Sequence, residues 1–407
     1  MIASSRRSSV LLINRAYMPQ RSSSARLVRE LARAVVRDGW DVQVLTSGEM
    51  AGVEMDGGVR VIRMGGYREG RSVFFELFLL VRFFVRALFL PRVQLVITLT
   101  DPPMLVLVGW ALKAFRRCAH IHWCQDVYPD LLPVIGIRLP RIFQRFLLRL
   151  SRLAMNHADR VVVIGRCMAR HLSRTGVISV RMTLIPNWPE LAMSAHSQME
   201  NPTLAEAVPL PSILDSGPKF RVLYVGTVGY AHPIDTILDA ATILESLYPE
   251  IEFIFIGDSQ AQAAVVEAKA RRGLGNVRVL PFQPMSRLRD IMGSGDLHLI
   301  SMKDEAAGMM VPAKFYAALA AARPCILVGP EDTEIGRTIR QFRVGRVVPQ
   351  KAARGLVQAI VDYRLREDLW FAAHDGAIKA AASHTAEDMI RLWLKKARDV
   401  VRARAAV

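Results

Sequence analysis

Short apolar runs alternate with longer segments of helical spacing along most of the chain. The runs Val10–Asn14, Val42–Thr46, Val59–Met64, Leu95–Thr100, His120–Cys124, Arg160–Ile164 and Thr183–Pro186 each read as a strand. Between the first two, residues 22–37 put Leu27, Leu31, Ala34 and Val35 on one side of a helix. Strands that are apolar throughout and separated by helices predict a parallel sheet covered on both faces. The rhythm stops between Trp188 and Lys219, where Pro189, Pro202, Pro209, Pro211 and Pro218 predict a linker. It restarts with strands expected at Arg221–Val225, Glu252–Ile256, Val277–Pro281, Leu297–Ser301, Cys325–Val328 and Arg346–Val348. Helices fit at Ile234–Leu247 and Ala313–Ala322, and Thr385–Ala405 reads as a long basic helix. The pattern predicts an α/β chain with two Rossmann-like domains whose parallel sheets face a central cleft. The expected divisions are a first domain at 1–190, a linker at 191–218, a second domain at 219–384 and a C-terminal helix at 385–407. That helix could pack back on the first domain. In such sheets ligands bind beyond the carboxyl ends of the strands.

Composition narrows this picture. The 407 residues are 51% hydrophobic, which excludes a disordered chain. Four cysteines without a C-x-x-C pair argue against a disulfide scaffold or a zinc site, and predict reduced, buried thiols. The opening run VLLIN is shorter than the ~7–15 residues of a secretory signal core, and no uncharged apolar run reaches the ~18 of a membrane-spanning helix. The net charge of +17 raises nucleic acid, membrane and phosphorylated ligands as partners. Its clearest concentrations are two apolar helices. In Arg71–Leu90, Arg71, Arg82 and Arg86 fall within roughly a 60° arc, and in Arg141–Leu153, Arg141, Arg145, Arg149 and Arg152 fall within roughly 80°. A basic stripe backed by apolar residues suits a helix lying in an anionic interface, and these seven arginines are the candidate membrane-facing residues. A core helix with a solvated Arg edge is the alternative for both stripes; it fits the second, taken alone, better, whereas the aromatic and Leu content of the first exceeds what one core face needs.

Candidate chemistry clusters where strands end. RVLYVGTVGYAHPID carries Gly226, Thr227 and Gly229 in a strand-to-helix loop, where backbone N–H groups can approach a phosphate. A tight turn is the alternative. In VPAKFYAALAAARP, Pro312 falls near the first helical position and Lys314 in the first turn. A lysine there opposes the helix dipole unless an anion binds at the same end. After CILVG, Glu331 and Asp332 could cap the next helix, and Glu334 could accept bonds from ribose hydroxyls. In HIHWCQDVYPD, Asp126 follows a strand and could deprotonate an acceptor hydroxyl, or merely shape the loop; His122 packs inside. D-x-D, H-E-x-x-H and G-x-S-x-G motifs are absent, and no G-x-G-x-x-G follows the first strand.

Taken in order, these segments resemble glycosyltransferase family 4 enzymes of the GT-B fold, especially the WbuB-like branch that builds surface polysaccharides. The resemblance rests on RAYMPQ with SSSARLVRELARAVVRDGWDVQVLT, CQDVYPD, ADRVVVIGRCMARHL with LIPNW, YVGTVGYAHPIDTILDAA, NVRVLPFQP, VPAKFYAALAAARP and GPEDTEIGRTI. It implies a nucleotide-sugar donor on the second domain and an acceptor on the first. Gly226, Thr227 and Gly229 would then line the diphosphate, Phe282 and Gln283 the nucleobase. Pro312 and Lys314 would meet the diphosphate, and Glu331 and Glu334 the ribose side. Asp126 and Lys314 would carry catalysis. The implied reaction is hexosyl transfer to a saccharide on polyprenyl diphosphate, in exopolysaccharide or O-antigen synthesis. It would need no metal or cofactor and would run on the inner face of the cytoplasmic membrane. The sequence departs from the family at Ser22–Ser23–Ser24, where relatives carry two glycines, and in lacking an arginine in the first donor loop. It also has Ala307 and Ala317 where two glutamates often flank the donor. Those alanines keep open a weakened partner of another transferase. An epimerase of the same fold and a nucleic-acid-binding protein are the other readings; the second lacks aromatics among its basic residues.

Overall fold

The structure is a computed structural model that describes residues 7–20, 22–66, 73–189, 219–226, 228–257, 259–281, 283 and 287–405. The expected linker, Arg71, Thr227 and Phe282 lie outside the described residues.

The first domain carries an eight-stranded sheet. Its strands are β1 (Ser9–Ile13), β2 (Asp41–Ser47), β3 (Gly52–Asp56), β4 (Val59–Met64), β5 (Leu95–Thr98), β6 (Ala119–Cys124), β7 (Arg160–Val163) and β8 (Met182–Leu184). They stand in the order β3-β4-β2-β1-β5-β6-β7-β8, and only β3 runs antiparallel to its neighbour. The helices are α1 (Ser23–Arg37), α2 (Val73–Leu88), α3 (Val106–Arg116), α4 (Arg141–His157) and α5 (Arg166–Arg174). In the second domain, the strands β9 (Phe220–Val225), β10 (Ile251–Gly257), β11 (Val277–Pro281), β12 (Leu297–Ser301), β13 (Cys325–Val328) and β14 (Gly345–Val348) form a parallel sheet of order β11-β10-β9-β12-β13-β14. Around it lie α6 (Asp235–Leu247), α7 (Ser259–Arg272), α8 (Leu288–Gly293), α9 (Lys314–Ala320), α10 (Glu334–Phe342), α11 (Ala353–Leu365) and α12 (Glu367–Ala382). In both sheets the strand order therefore reverses beside the first strand, between β1 and β5 and between β9 and β12, and this switch point is where such sheets bind ligands.

β3 was not anticipated. Its residues are mostly exposed, so the core imprints no apolar pattern on it. The hairpin is made by Gly57 and Gly58, both at positive φ (58° and 86°), the conformation a two-residue turn requires. Asp56 then ties the hairpin down, accepting bonds from Tyr17 Oη and from the guanidinium groups of Arg29 and Arg33.

The last helix, α13 (Ala386–Ala405), leaves the second domain and lies against the first. Trp393 meets Trp123 of β6 at 4.6 Å between ring centroids, Trp123 stacks on Trp188, and Arg398 pairs with Asp38. One apolar core accordingly runs through both domains.

The two arginine stripes divide. Arg141, Arg145 and Arg149 are exposed, and so are Ile142, Phe143, Phe146 and Leu153 on the same helix. Arg152 corrects the expectation of a membrane-facing residue. It is 7% exposed and bonds Asp130 and Thr175 Oγ1, because the C-terminal half of α4 turns that position onto the buried Asp130 carboxylate. On α2, Arg82 donates to the Gly65 carbonyl at 3.0 Å, leaving Arg86 as its half-exposed neighbour. Among the described residues no helix is long and apolar enough to cross a membrane.

Candidate active site

At the second domain's switch point, β9 ends at Val225 and the chain turns through Gly226. Gly226 has φ of 116°, a conformation glycine adopts readily and side-chain-bearing residues rarely. Its carbonyl oxygen passes 2.7 Å from where a Cβ on Gly257 would stand, so both positions need to be small. The helix that faces this turn begins at Lys314, with Ala313 as its cap; Pro312 thus stands one residue before the cap and not at the first helical position. Lys314 reaches back under the turn. Its Cε lies 3.6 Å from the point a Gly226 Cβ would occupy, and its Nζ stands 3.8 Å over the centroid of Tyr224. Burial pushes this ammonium down to about 7. The protein therefore holds a cation with reduced hydration beside the glycine turn, which an anion would relieve.

His232 completes the cluster, and the sequence reading did not select it. Its backbone N–H closes the turn onto Gly229 O at 2.7 Å. Its Nδ1 stands 2.7 Å from the Ser301 carbonyl, so Nδ1 carries the proton and the ring bridges the β9 turn to the end of β12. Burial and then the Lys314 charge push its pKa down to about 3, so the imidazole is neutral. The histidine within YAHPID, directly after a strand-end loop, was the available signal.

The first domain meets this site through Asp126. It follows β6, and its backbone N–H bonds Thr100 Oγ1 at 3.3 Å. An isolated antiparallel bridge joins Asp126 to Met310, and Val127 N–H donates to Met309 O at 2.7 Å. Met310 lies four residues before Lys314, so the two candidate catalytic residues sit on segments bonded across the domain boundary. Gly308, at φ of 76°, permits the approach: a Cβ there would stand 3.0 Å from Cys167 O and His171 Cβ. Behind Asp126, Asp130 is buried. Burial raises its pKa, and bonds from His171 and Arg152 outweigh that and hold it low.

The acids after β13 are placed differently from one another. Glu331 is exposed and pairs with Arg340. Glu334 is 3% exposed, and its carboxylate accepts from Arg166 N at 2.6 Å, from Arg166 Nη1 at 2.9 Å and from Arg337 Nη2 at 3.1 Å. It therefore holds the N-terminus of α5 in the first domain, and a ribose would have to displace Arg166 to use it. Gln283 donates to the Pro281 carbonyl at the end of β11. His122 is buried in the sheet as expected, beside Thr98. All four cysteines are free and buried. Among the described residues no group of three His, Cys, Asp or Glu side chains is placed to hold a metal ion.

Comparison with known proteins decides what this arrangement is. The family "Glycosyl transferase 4-like domain" matches residues 24–188, and "Glycosyl transferases group 1" matches residues 219–364. The chain belongs to the family 4 glycosyltransferases. Its two sheets are the GT-B fold. Among relatives of this family, the putative colanic acid biosynthesis glycosyl transferase WcaI of Escherichia coli (strain K12) is 25% identical over 252 residues, 61% of this chain and 59% of that protein. The probable glycosyltransferase WbjE of Pseudomonas aeruginosa is 26% identical over 270 residues, 66% of each. The chain thus matches about 59–66% of the length of these curated relatives. Sucrose-phosphate synthase from Thermosynechococcus elongatus shares the fold with a TM-score of 0.75 at 18% identity, covering 98% of this chain and 100% of the other. Anabaena Alr3699/HepE, solved with UDP and glucose, shares it with a TM-score of 0.71 at 13% identity, covering 96% and 99%.

Proposed function

We propose that the protein transfers a sugar from a nucleoside-diphosphate donor to a saccharide carried on polyprenyl diphosphate, in surface-polysaccharide synthesis. One observation carries the reading: Lys314 Nζ lies 3.8 Å over Tyr224 and against Gly226, so a diphosphate entering the turn meets a cation at once. The HepE structure holds UDP and glucose in the same fold, and the name of WcaI places that protein in colanic acid biosynthesis.

The donor diphosphate lies on the turn of Gly226 and Gly229, with Pro312 and Lys314 on its other side. As the sugar–phosphate bond breaks, negative charge grows on the leaving group and Lys314 stabilises it. Asp126, bonded to the segment that leads into Lys314, takes the acceptor proton. Gln283 stands beside the nucleobase, and Glu331 and Glu334 beside the ribose, where donor entry exchanges the Arg166 contact for a hydroxyl. No metal takes part. The exposed Phe78, Phe89, Phe115, Ile142 and Phe146, together with Arg86, Arg141, Arg145 and Arg149, rest on an anionic membrane and present the lipid-linked acceptor.

Thermal-shift measurements with UDP, GDP, ADP and their sugars test the donor site. A rise in Tm with one nucleoside diphosphate, lost in Lys314→Met, is expected. No response to any of them contradicts the assignment. Ala307 and Ala317, in place of two acids common in the family, favour a second reading, a nucleotide-binding partner without transfer activity. Binding with no product in a complete assay would select it.

A further inference from the structure

Away from the cleft, a groove of about 660 Å³ lies between the β3–β4 hairpin and α2. That volume lies within the ~300–1,000 Å³ of sites that bind small molecules. Its apolar lining comes from Val53 on the edge strand, Ile62 and Met64 on β4, Val81 and Val85 on α2, and Phe89 just past the end of α2. Val53 and Ile62 are directly paired across the hairpin, so they share one face of the sheet. Arg82 and Arg86, one turn apart on α2, also line it. Arg82 is held in place by the Gly65 carbonyl and by the ring of Phe78, whose centroid is 5.7 Å from its guanidinium carbon. Among the described residues no carboxylate stands within ion-pair distance of Arg82 or Arg86.

An apolar trough with two cations that meet no carboxylate among the described residues is complementary to an amphiphile with one chain and one anionic head. The trough opens onto Val81, Val85 and Phe89, which are 52%, 45% and 78% exposed. From there the apolar surface continues through Phe84 to Phe115 of α3, whose ring centroids are 5.9 Å apart. The groove is also remote from the reacting centre. β4 and β6 are four strand spacings apart in the sheet order, about 19 Å at ~4.8 Å each. A lipid in the groove therefore does not place its head at Asp126.

We propose that the groove between the β3–β4 hairpin and α2 binds one acyl chain of an anionic phospholipid, with its phosphate on Arg82 and Arg86. This rests on the membrane-contact part of the preceding reading. It goes beyond it by assigning a saturable one-lipid site where a merely basic surface has none. The bound lipid fixes the depth and tilt of the first domain, so that the cleft opens toward lipid-linked acceptors.

The test separates the site from the surface by using monomeric lipid. Dihexanoylphosphatidylglycerol, held below its micelle concentration, is titrated into the full chain in the absence of any bilayer. One equivalent is expected to bind, with dihexanoylphosphatidylcholine at least 10-fold weaker. Val53→Trp fills the groove from an exposed strand position that tolerates aromatics, and should weaken binding at least 10-fold while leaving the melting temperature within a few degrees. Arg86→Gln should weaken it several-fold. Flotation on vesicles containing phosphatidylglycerol is measured beside it. Flotation without saturable binding of the monomer, or equal affinity in Val53→Trp, overturns the groove and leaves the membrane surface standing. Tighter binding of geranyl diphosphate than of the phospholipid also overturns it, by placing the acceptor's own chain there. Loss of flotation with monomer binding intact refutes the membrane surface and keeps the site.

Discussion

Replacing Lys314 with Met removes a charge and keeps most of the stem. Two effects of opposite sign follow. In the free protein, burial holds the Lys314 pKa down to about 7, against 10.5 for an ordinary lysine. Between those values the unfolded chain binds more protons than the folded one, so stability rises with pH across that window. The folded protein therefore bears a penalty for Lys314 near pH 7 that the methionine escapes. At about 1.4 kcal/mol per pKa unit the full drop from 10.5 to about 7 is worth about 5 kcal/mol, and solvent screening of the partly exposed side chain cuts the gain to about 1 kcal/mol. For domains of this size that is ~2–4 °C in Tm. For the ligand the change acts the other way. Charge-assisted bonds contribute ~1.5–3 kcal/mol, so the dissociation constant of the preferred nucleoside diphosphate should rise ~10- to 150-fold. Differential scanning fluorimetry without ligand and calorimetric titration with it read the two effects separately. A Lys314→Met protein that melts lower than the parent, or binds the nucleotide as tightly, refutes the placement of this ammonium.

Three further outcomes are expected. His120 and His122 are buried in the first sheet around Thr98. Burial drives His122 down to about 3 and His120 well below its ordinary value, so both are neutral in the folded state. Their contribution is complete above the unfolded value of about 6.5 and falls as the pH drops toward 3; denaturant midpoints measured from pH 7 to 4 should decline, and should decline less in His122→Asn. Arg152→Ala leaves the buried Asp130 with His171 alone and should cost ~3 kcal/mol, whereas Arg149→Ala on the same helix should change stability by under ~0.5 kcal/mol and weaken vesicle binding instead. Trp393→Ala, which opens a cavity beside Trp123 between the last helix and the first domain, should cost ~3–5 kcal/mol by chemical denaturation.

Most strands could be read from the sequence because each is covered by helices on both faces, and double burial writes a continuous apolar run. β3 escaped for the opposite reason: it lies at an exposed edge, and its only mark is the Gly57–Gly58 turn. Helical periodicity located the arginine stripes but carried no information on partners, so Arg152 was grouped with Arg149 although a buried Asp130 waits on its side. Lys314 was legible because a lysine at a helix start opposes the dipole and so asks for an explanation. Glu334 was legible as an acid beside a helix start. Its actual contact with Arg166 joins residues 168 positions apart and has no local signature. His232 was passed over for the same reason, since its defining bond is to the carbonyl of Ser301, 69 residues on.

The central claim is sugar transfer at the Gly226–Lys314 turn. The measurement that meets it most directly is mass spectrometry of polyprenyl-diphosphate saccharides incubated with the purified chain and a panel of nucleotide sugars. The account predicts that one donor adds a single sugar to the lipid-linked acceptor and releases one nucleoside diphosphate, and that Lys314→Met loses about 10²-fold of the rate. A chain that binds the nucleotide yet adds no sugar to any acceptor, or transfers equally well without Lys314, would contradict it.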